Sequence, residues 1–230
     1  MGSVSDNIAS IRERIAEAAR RVGRDPAEIA IVAVTKTVDA EKIAEAVEAG
    51  IRMFGENKVQ EAMEKVKRLD SSLEWHMVGH LQRNKVKEAV RIFHLVQSLD
   101  SIHLAEEINS RALNSGTIMD VLVQVNTSGE KTKYGLEPQD AIPFLKHISS
   151  FKGLSIRGLM TIGAFLPDPQ AVRPCFRRLR DLREEISGAG IPNVEMEHLS
   201  MGMTGDFEVA VEEGANMVRI GTAIFGPREE

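Results

Sequence analysis

The sequence predicts an α/β fold: a (β/α)8 TIM barrel with an extra N-terminal helix, formed by a single domain over residues 1–230. Two observations carry this. Apolar runs rich in β-branched residues alternate with stretches of helical periodicity, and such alternation means parallel strands joined by helical crossovers. Eight such units in a chain of 230 residues fit a closed barrel. An open doubly wound sheet is the alternative arrangement of the same units. No linker, low-complexity tract or sequence repeat interrupts the series.

The first element is a helix over 3–22, where Ile8, Ile11, Ile15 and Ala18 or Ala19 recur at helical spacing. Ser5 or Asp6 can cap it, and Gly23 stops it. The first strand covers 30–36 within IAIVAVTKT; its continuous apolar run suits a strand buried on both faces. Asp39 caps a helix with Ile43, Ala46 and Val47 inside and Gly50 at its end. IRMFGEN (51–57) is the second strand, followed by a helix from about residue 56 to 69.

LEWHMVGH (73–80) is the third strand, and LQRNKVKEAVRI opens the next helix. HLVQSLD (94–100) is the fourth, with Asp100 or Ser101 capping a helix to about 113. TIMDVLVQVN (117–126) is the fifth; a polar loop and a helix over about 138–149 follow. LSIRGLMTIG (154–163) is the sixth, leading past two prolines into a long helix that ends near 187. VEMEHLSMG (194–202) is the seventh, Gly205-Asp206 opens a helix to about 213, and ANMVRIG is the eighth. TAIFG closes the chain as one helical turn.

A barrel of this kind carries its site at the C-terminal ends of the strands. Lys36, Glu56, Asn57, His80, Asn126, Met160, Thr161, the 200–204 segment and the 219–223 segment all fall there. Lys36 is either a lysine that snorkels from a strand edge or a desolvated amine. Burial disfavours ammonium, and free amine attacks aldehydes. SMGMTGD and RIGTA combine glycines with hydroxyls after the seventh and eighth strands, where barrels frequently hold phosphate. A lysine that seeks a carbonyl and a phosphate cradle suit pyridoxal phosphate. A sugar-phosphate aldolase would combine the same elements.

AVTKT, FGENKVQEA, EWHMVGHLQRNK, GLMTIG and LSMGMTGDFEVAVEEGANMVRIGTAIFG, in this order, resemble the pyridoxal phosphate homeostasis proteins, from about residue 8 to 227. These look like the barrel domain of alanine racemase standing alone. The resemblance implies a Schiff base between Lys36 and pyridoxal 5'-phosphate. It implies phosphate contacts from Ser200, Gly202, Gly221 and Thr222, Asn57 near the cofactor ring, and Arg219 near the pyridine nitrogen. An arginine there opposes ring protonation and makes a poorer electron sink; its other reading is a structural salt bridge. Two residues depart from the pattern: the family often has Pro where His80 stands, and Tyr134 lies in a variable loop.

A two-base racemase needs a second acid–base group on the opposite cofactor face. In alanine racemase that group is a tyrosine on a separate domain; no counterpart is expected in this chain, whose single tyrosine is Tyr134. The expectation is therefore a carrier of pyridoxal phosphate without substantial catalysis, with apo-enzymes as recipients; a weak amino-acid racemase is the alternative.

The remaining features are bland. A net charge of −5 disfavours nonspecific nucleic-acid binding, and no run has the ~18 apolar residues of a membrane span. A lone cysteine, Cys175, excludes an intramolecular disulfide and reads as packing. Without a secretory signal, a cytoplasmic protein is expected; the racemase dimer contacts go with its second domain, so a monomer is expected. No residue set has metal-ligand spacing. His76 and His198 read as hydrogen-bonded barrel residues, and RNKVK (83–87) as a solvated face at the rim.

Overall fold

In the computed structural model, which describes residues 2–130 and 132–227, strands β1 (Ala30–Val34), β2 (Met53–Glu56), β3 (Glu74–Met77), β4 (Leu95–Leu99), β5 (Met119–Gln124), β6 (Leu154–Met160), β7 (Val194–Ser200) and β8 (Met217–Ile220) form a closed barrel in sequence order. Every neighbouring pair is parallel, and β8 pairs back onto β1 through Ala30↔Met217 to Ala33↔Ile220. The fold is a TIM barrel, and the open sheet is excluded.

Helices alternate with the strands: α1 (Val4–Arg21), α2 (Ala40–Glu48), α3 (Val59–Val66), α4 (Val86–Ile92), α5 (Ile102–Asn114), α6 (Ala141–Ile148), α7 (Pro169–Gly188), α8 (Phe207–Glu212) and α9 (Thr222–Phe225). Short 3-10 turns lead into α4 and α6. Among the described residues, no helix is long and apolar enough to cross a membrane.

The strand period of two divides the side chains between two cores. Ala33, Phe54, Trp75, Val96, Val121, Val123, Leu199, Val218 and Ile220 face outward onto the helices. Val32, Val78, Leu95, Leu122, Met160 and Met217 fill the lumen. Arg219 lies two residues beyond Met217, so it shares the lumen face.

Several local predictions need correction. The α1 cap is Ser3, not Ser5 or Asp6: its hydroxyl accepts from Asp6 N–H, and the Asp6 carboxylate accepts in return from Ser3 N–H. Helix α3 starts at Val59 rather than 56, because Glu56 still belongs to β2. The first strand stops at Val34, so Lys36 stands in the turn beyond it. Helix α1 also reaches the far end of the barrel wall. Asn7 Nδ2 donates to Ile224 O at 2.9 Å, fastening the α9 turn.

Candidate functional site

The C-terminal mouth holds a cavity of about 360 Å³. Lys36, Asn57, Arg219, Gly221 and Thr222 line it together, with Val34, Val78 and the Met203–Asp206 segment. Five of the seven residues expected to hold the cofactor therefore converge. Ser200 and Gly202 do not line the cavity; both sit behind its wall, buried.

Lys36 is half-buried at the second position of a turn in which Val38 N–H donates to Thr35 O at 2.9 Å. The next residue, Thr37, has φ of 63°, a left-handed conformation unusual for a β-branched residue. Asn57 follows β2 and lies against Gly79; a Cβ on that glycine would come 2.6 Å from Asn57 O. Only glycine permits this approach.

Arg219 is buried at the cavity floor. Its Nη1 donates to Ser200 Oγ at 2.5 Å and its Nη2 to Thr161 O at 2.7 Å. Both acceptors are neutral. Among the described residues, no carboxylate forms a direct ion pair with it, which removes the structural salt-bridge reading. Desolvation pulls its pKa down to about 10, opposed by the charge of Asp206. A buried guanidinium whose hydrogen-bond acceptors are neutral, with Asp206 acting only through space, is costly to keep charged.

Ser200 explains its own placement. Its hydroxyl donates to Gln97 Oε1 at 2.6 Å and accepts from Arg219. Gln97 Nε2 then reaches His76 Nδ1 at 2.9 Å. His76 is thus hydrogen-bonded in the lumen, and its pKa is driven down to about 3, chiefly by desolvation. Since Gln97 donates, His76 Nδ1 accepts and the proton of the neutral ring sits on Nε2.

The β7–α8 segment closes the opposite wall. Gly202 has φ of 93°, and a Cβ there would come 2.6 Å from Ala210 Cβ. Arg219 N–H donates to Gly202 O at 3.0 Å, and Ala223 N–H donates to Thr204 Oγ1 at 3.3 Å, so this loop is tied to β8 and α9. Thr222 opens the α9 turn; beyond it Ala223 N–H is taken by Thr204 Oγ1, and Ile224 and Phe225 N–H both donate to Gly221 O. Met203 lines the cavity, whereas Met201 is packed in the outer core.

Sequence reasoning missed two features of the wall. Asp206 lines the cavity; it accepts from Met203 N–H at 2.6 Å, and desolvation raises its pKa. In sequence it marks only the opening of a helix. Ile162, Ala164, Phe165 and Leu166 form an apolar lip, with Phe165 95% exposed; in sequence this stretch reads only as a loop with two prolines. His80 and Tyr134 do not line the cavity. Their rings stack with centroids 4.0 Å apart, and His80 Nδ1 lies 3.7 Å from Asp100 Oδ2. Among the described residues, no group of three or more His, Cys, Asp or Glu residues could hold a metal ion.

The same barrel and motifs recur in known proteins. The family model for the alanine racemase N-terminal domain matches residues 7–229. A pyridoxal phosphate homeostasis protein of Aquifex aeolicus is 44% identical over 97% of this chain and 98% of its own length. The chain belongs to the pyridoxal phosphate homeostasis protein family. Among solved structures, a protein of unknown function from Bifidobacterium adolescentis superposes with a TM-score of 0.91 at 38% identity, covering 97% of this chain and 94% of that one. PipY of Synechococcus elongatus, solved with PLP bound, superposes at 0.83 with 33% identity, covering 97% of this chain and all of that one.

Proposed function

We propose that this protein binds pyridoxal 5'-phosphate in the C-terminal cavity, holds it as a Schiff base on Lys36, and serves intracellular cofactor homeostasis without substantial catalysis. One observation carries the reading: an amine, a buried guanidinium with neutral partners and a hydroxyl-bearing α9 turn open onto one cavity. Family membership and the PLP-bound relative support it.

The residues fit the group. Pyridoxal phosphate supplies an aldehyde that condenses with a primary amine, releasing water. Lys36 offers that amine. Thr222, Gly221 and the Thr204–Gly205 segment offer hydroxyl and amide donors suited to a phosphate. Arg219 keeps a positive charge at the floor, where it disfavours a protonated ring nitrogen. Asn57 lines the same cavity as Lys36 and offers a polar group to the ring. Ser200 and Gly202 act from behind: Ser200 holds the guanidinium, and Gly202 lets the loop pass close to α8.

In this reading the cell's apo-enzymes are the recipients and the working unit is a cytoplasmic monomer in one domain. A racemase would need an acid–base group on the second cofactor face. Among the described lining residues, the groups that titrate are Lys36, Asp206 and Arg219, and Asp206 is engaged by Met203 N–H. Tyr134 is engaged with His80 outside the cavity lining. The test is to incubate loaded protein with L-alanine in deuterated water. Negligible α-proton exchange and no D-alanine are expected. Exchange at enzymatic rates, lost in Lys36→Ala, would replace the carrier by the racemase.

A further inference from the structure

The peptide groups on both sides of Lys36 are held by side chains of a single helix. Thr35 O, just before Lys36, accepts from Lys65 Nζ at 2.6 Å. Thr37 N–H, just after it, donates to Glu61 Oε2 at 3.1 Å. Glu61 and Lys65 stand one turn apart on α3, with 4.0 Å between their charged atoms. The base of the arrangement is Glu56, whose side chain is fully buried. Its Oε1 accepts from Lys65 Nζ at 2.5 Å and from Thr35 Oγ1 at 2.6 Å, and its Oε2 from Asn57 N–H at 3.3 Å. The group thus reaches the backbone at Lys36 and at Asn57, two separate lining residues.

Between these two grips the chain is strained. Thr37 sits at φ 63°, a conformation that costs a β-branched residue energy and persists only where the surroundings impose it. The Glu61 carboxylate on its N–H and the Thr37 Oγ1 bond to Lys36 O at 2.6 Å are what impose it. Backbone strain next to a residue with a chemical task points to a positioning device.

We propose that Glu61 and Lys65, seated on Glu56, form a brace that fixes the Lys36 turn and aims the lysine amine into the cavity. Glu61, Lys65 and Glu56 are positioning residues: the fixed backbone on both sides of Lys36 sets where Nζ meets a carbonyl. This rests on the Schiff-base reading of Lys36.

The test uses the full-length protein loaded with pyridoxal phosphate. Glu61 is partly exposed and can be changed without leaving a charge buried. Glu61→Ala is expected to weaken cofactor retention about tenfold and to move the pH midpoint of the bound visible absorption by about half a unit or more. Glu61→Gln keeps an oxygen acceptor for Thr37 N–H and is expected to stay within about twofold of the wild type. Glu64→Ala, on the exposed side of α3, controls for helix effects. Borohydride trapping separates the two layers of the claim. An adduct on another lysine sinks the Lys36 reading and the brace with it. An adduct on Lys36, with retention and pH midpoint unchanged in Glu61→Ala, sinks the brace alone.

Discussion

The two ends of the barrel each present a hollow and arginines, and they use them in opposite ways. At the N-terminal end, a hollow of about 430 Å³ lies between α1 and the starts of β1 and β2. Arg12 and Arg52 line it, and both are spent on helix closure: Arg12 donates to Ala49 O and Arg52 to Val47 O, carbonyls at the end of α2. At the C-terminal end, in a hollow of about 360 Å³, the arginine is buried on neutral acceptors and the lysine stands on a strained turn. Volume does not separate the two ends; a buried guanidinium on neutral acceptors and backbone strain do. In a barrel the N-terminal end holds the fold together and the C-terminal end is left with chemistry to do.

The comparison can be broken at several points. Lys36→Ala has the largest expected effect: loss of the visible absorption of bound cofactor, read by spectroscopy, while Arg12→Ala retains it. Next, Arg219→Met is expected to weaken cofactor binding by tenfold or more, about 1.4 kcal/mol or above, measured by equilibrium titration. Arg52→Met at the opposite end should leave binding within about twofold. Thr222→Val removes one hydroxyl beside the proposed phosphate site and should weaken binding several-fold, on the order of 1 kcal/mol; unchanged affinity would remove Thr222 from that site.

A smaller effect lies in stability against pH. The folded pKa of His76 is depressed, to about 3. As pH falls below about 6.5 the unfolded chain takes up a proton that the folded lumen refuses. Stability contributed by neutral His76 is fully present above that pH and is lost progressively down toward pH 3, at no more than about 1.4 kcal/mol per pH unit. His198, also depressed by desolvation, adds in the same direction. His76→Gln should flatten the slope in denaturant titrations between pH 6 and 4, at some cost in absolute stability.

Much of this was legible in the sequence. Each of the eight strands lies within the apolar run that predicts it, because period-two burial on two cores leaves a clear pattern. Ends were less legible. Predicted strands ran one to three residues past their C-terminal ends, since residues such as Lys36 and Gly221 continue an apolar run in sequence but already lie beyond the strand. Lining residues at strand ends, such as Asn57 and Arg219, could be located from register alone. Ser200 could not be told from a lining residue, because its partner Gln97 is 103 residues away. The α3 brace was invisible for a related reason: Lys65 reads as one more charge on a solvated helix until the fold sets it over Thr35.

The central claim is that the C-terminal cavity, through Lys36, is where pyridoxal phosphate is held. The direct measurement is to load purified protein with the cofactor, reduce with borohydride, digest, and locate the modified lysine by mass spectrometry. The expected result is one stoichiometric pyridoxyl adduct on Lys36. An adduct on a different lysine, or none above the level of Lys36→Ala, would contradict it.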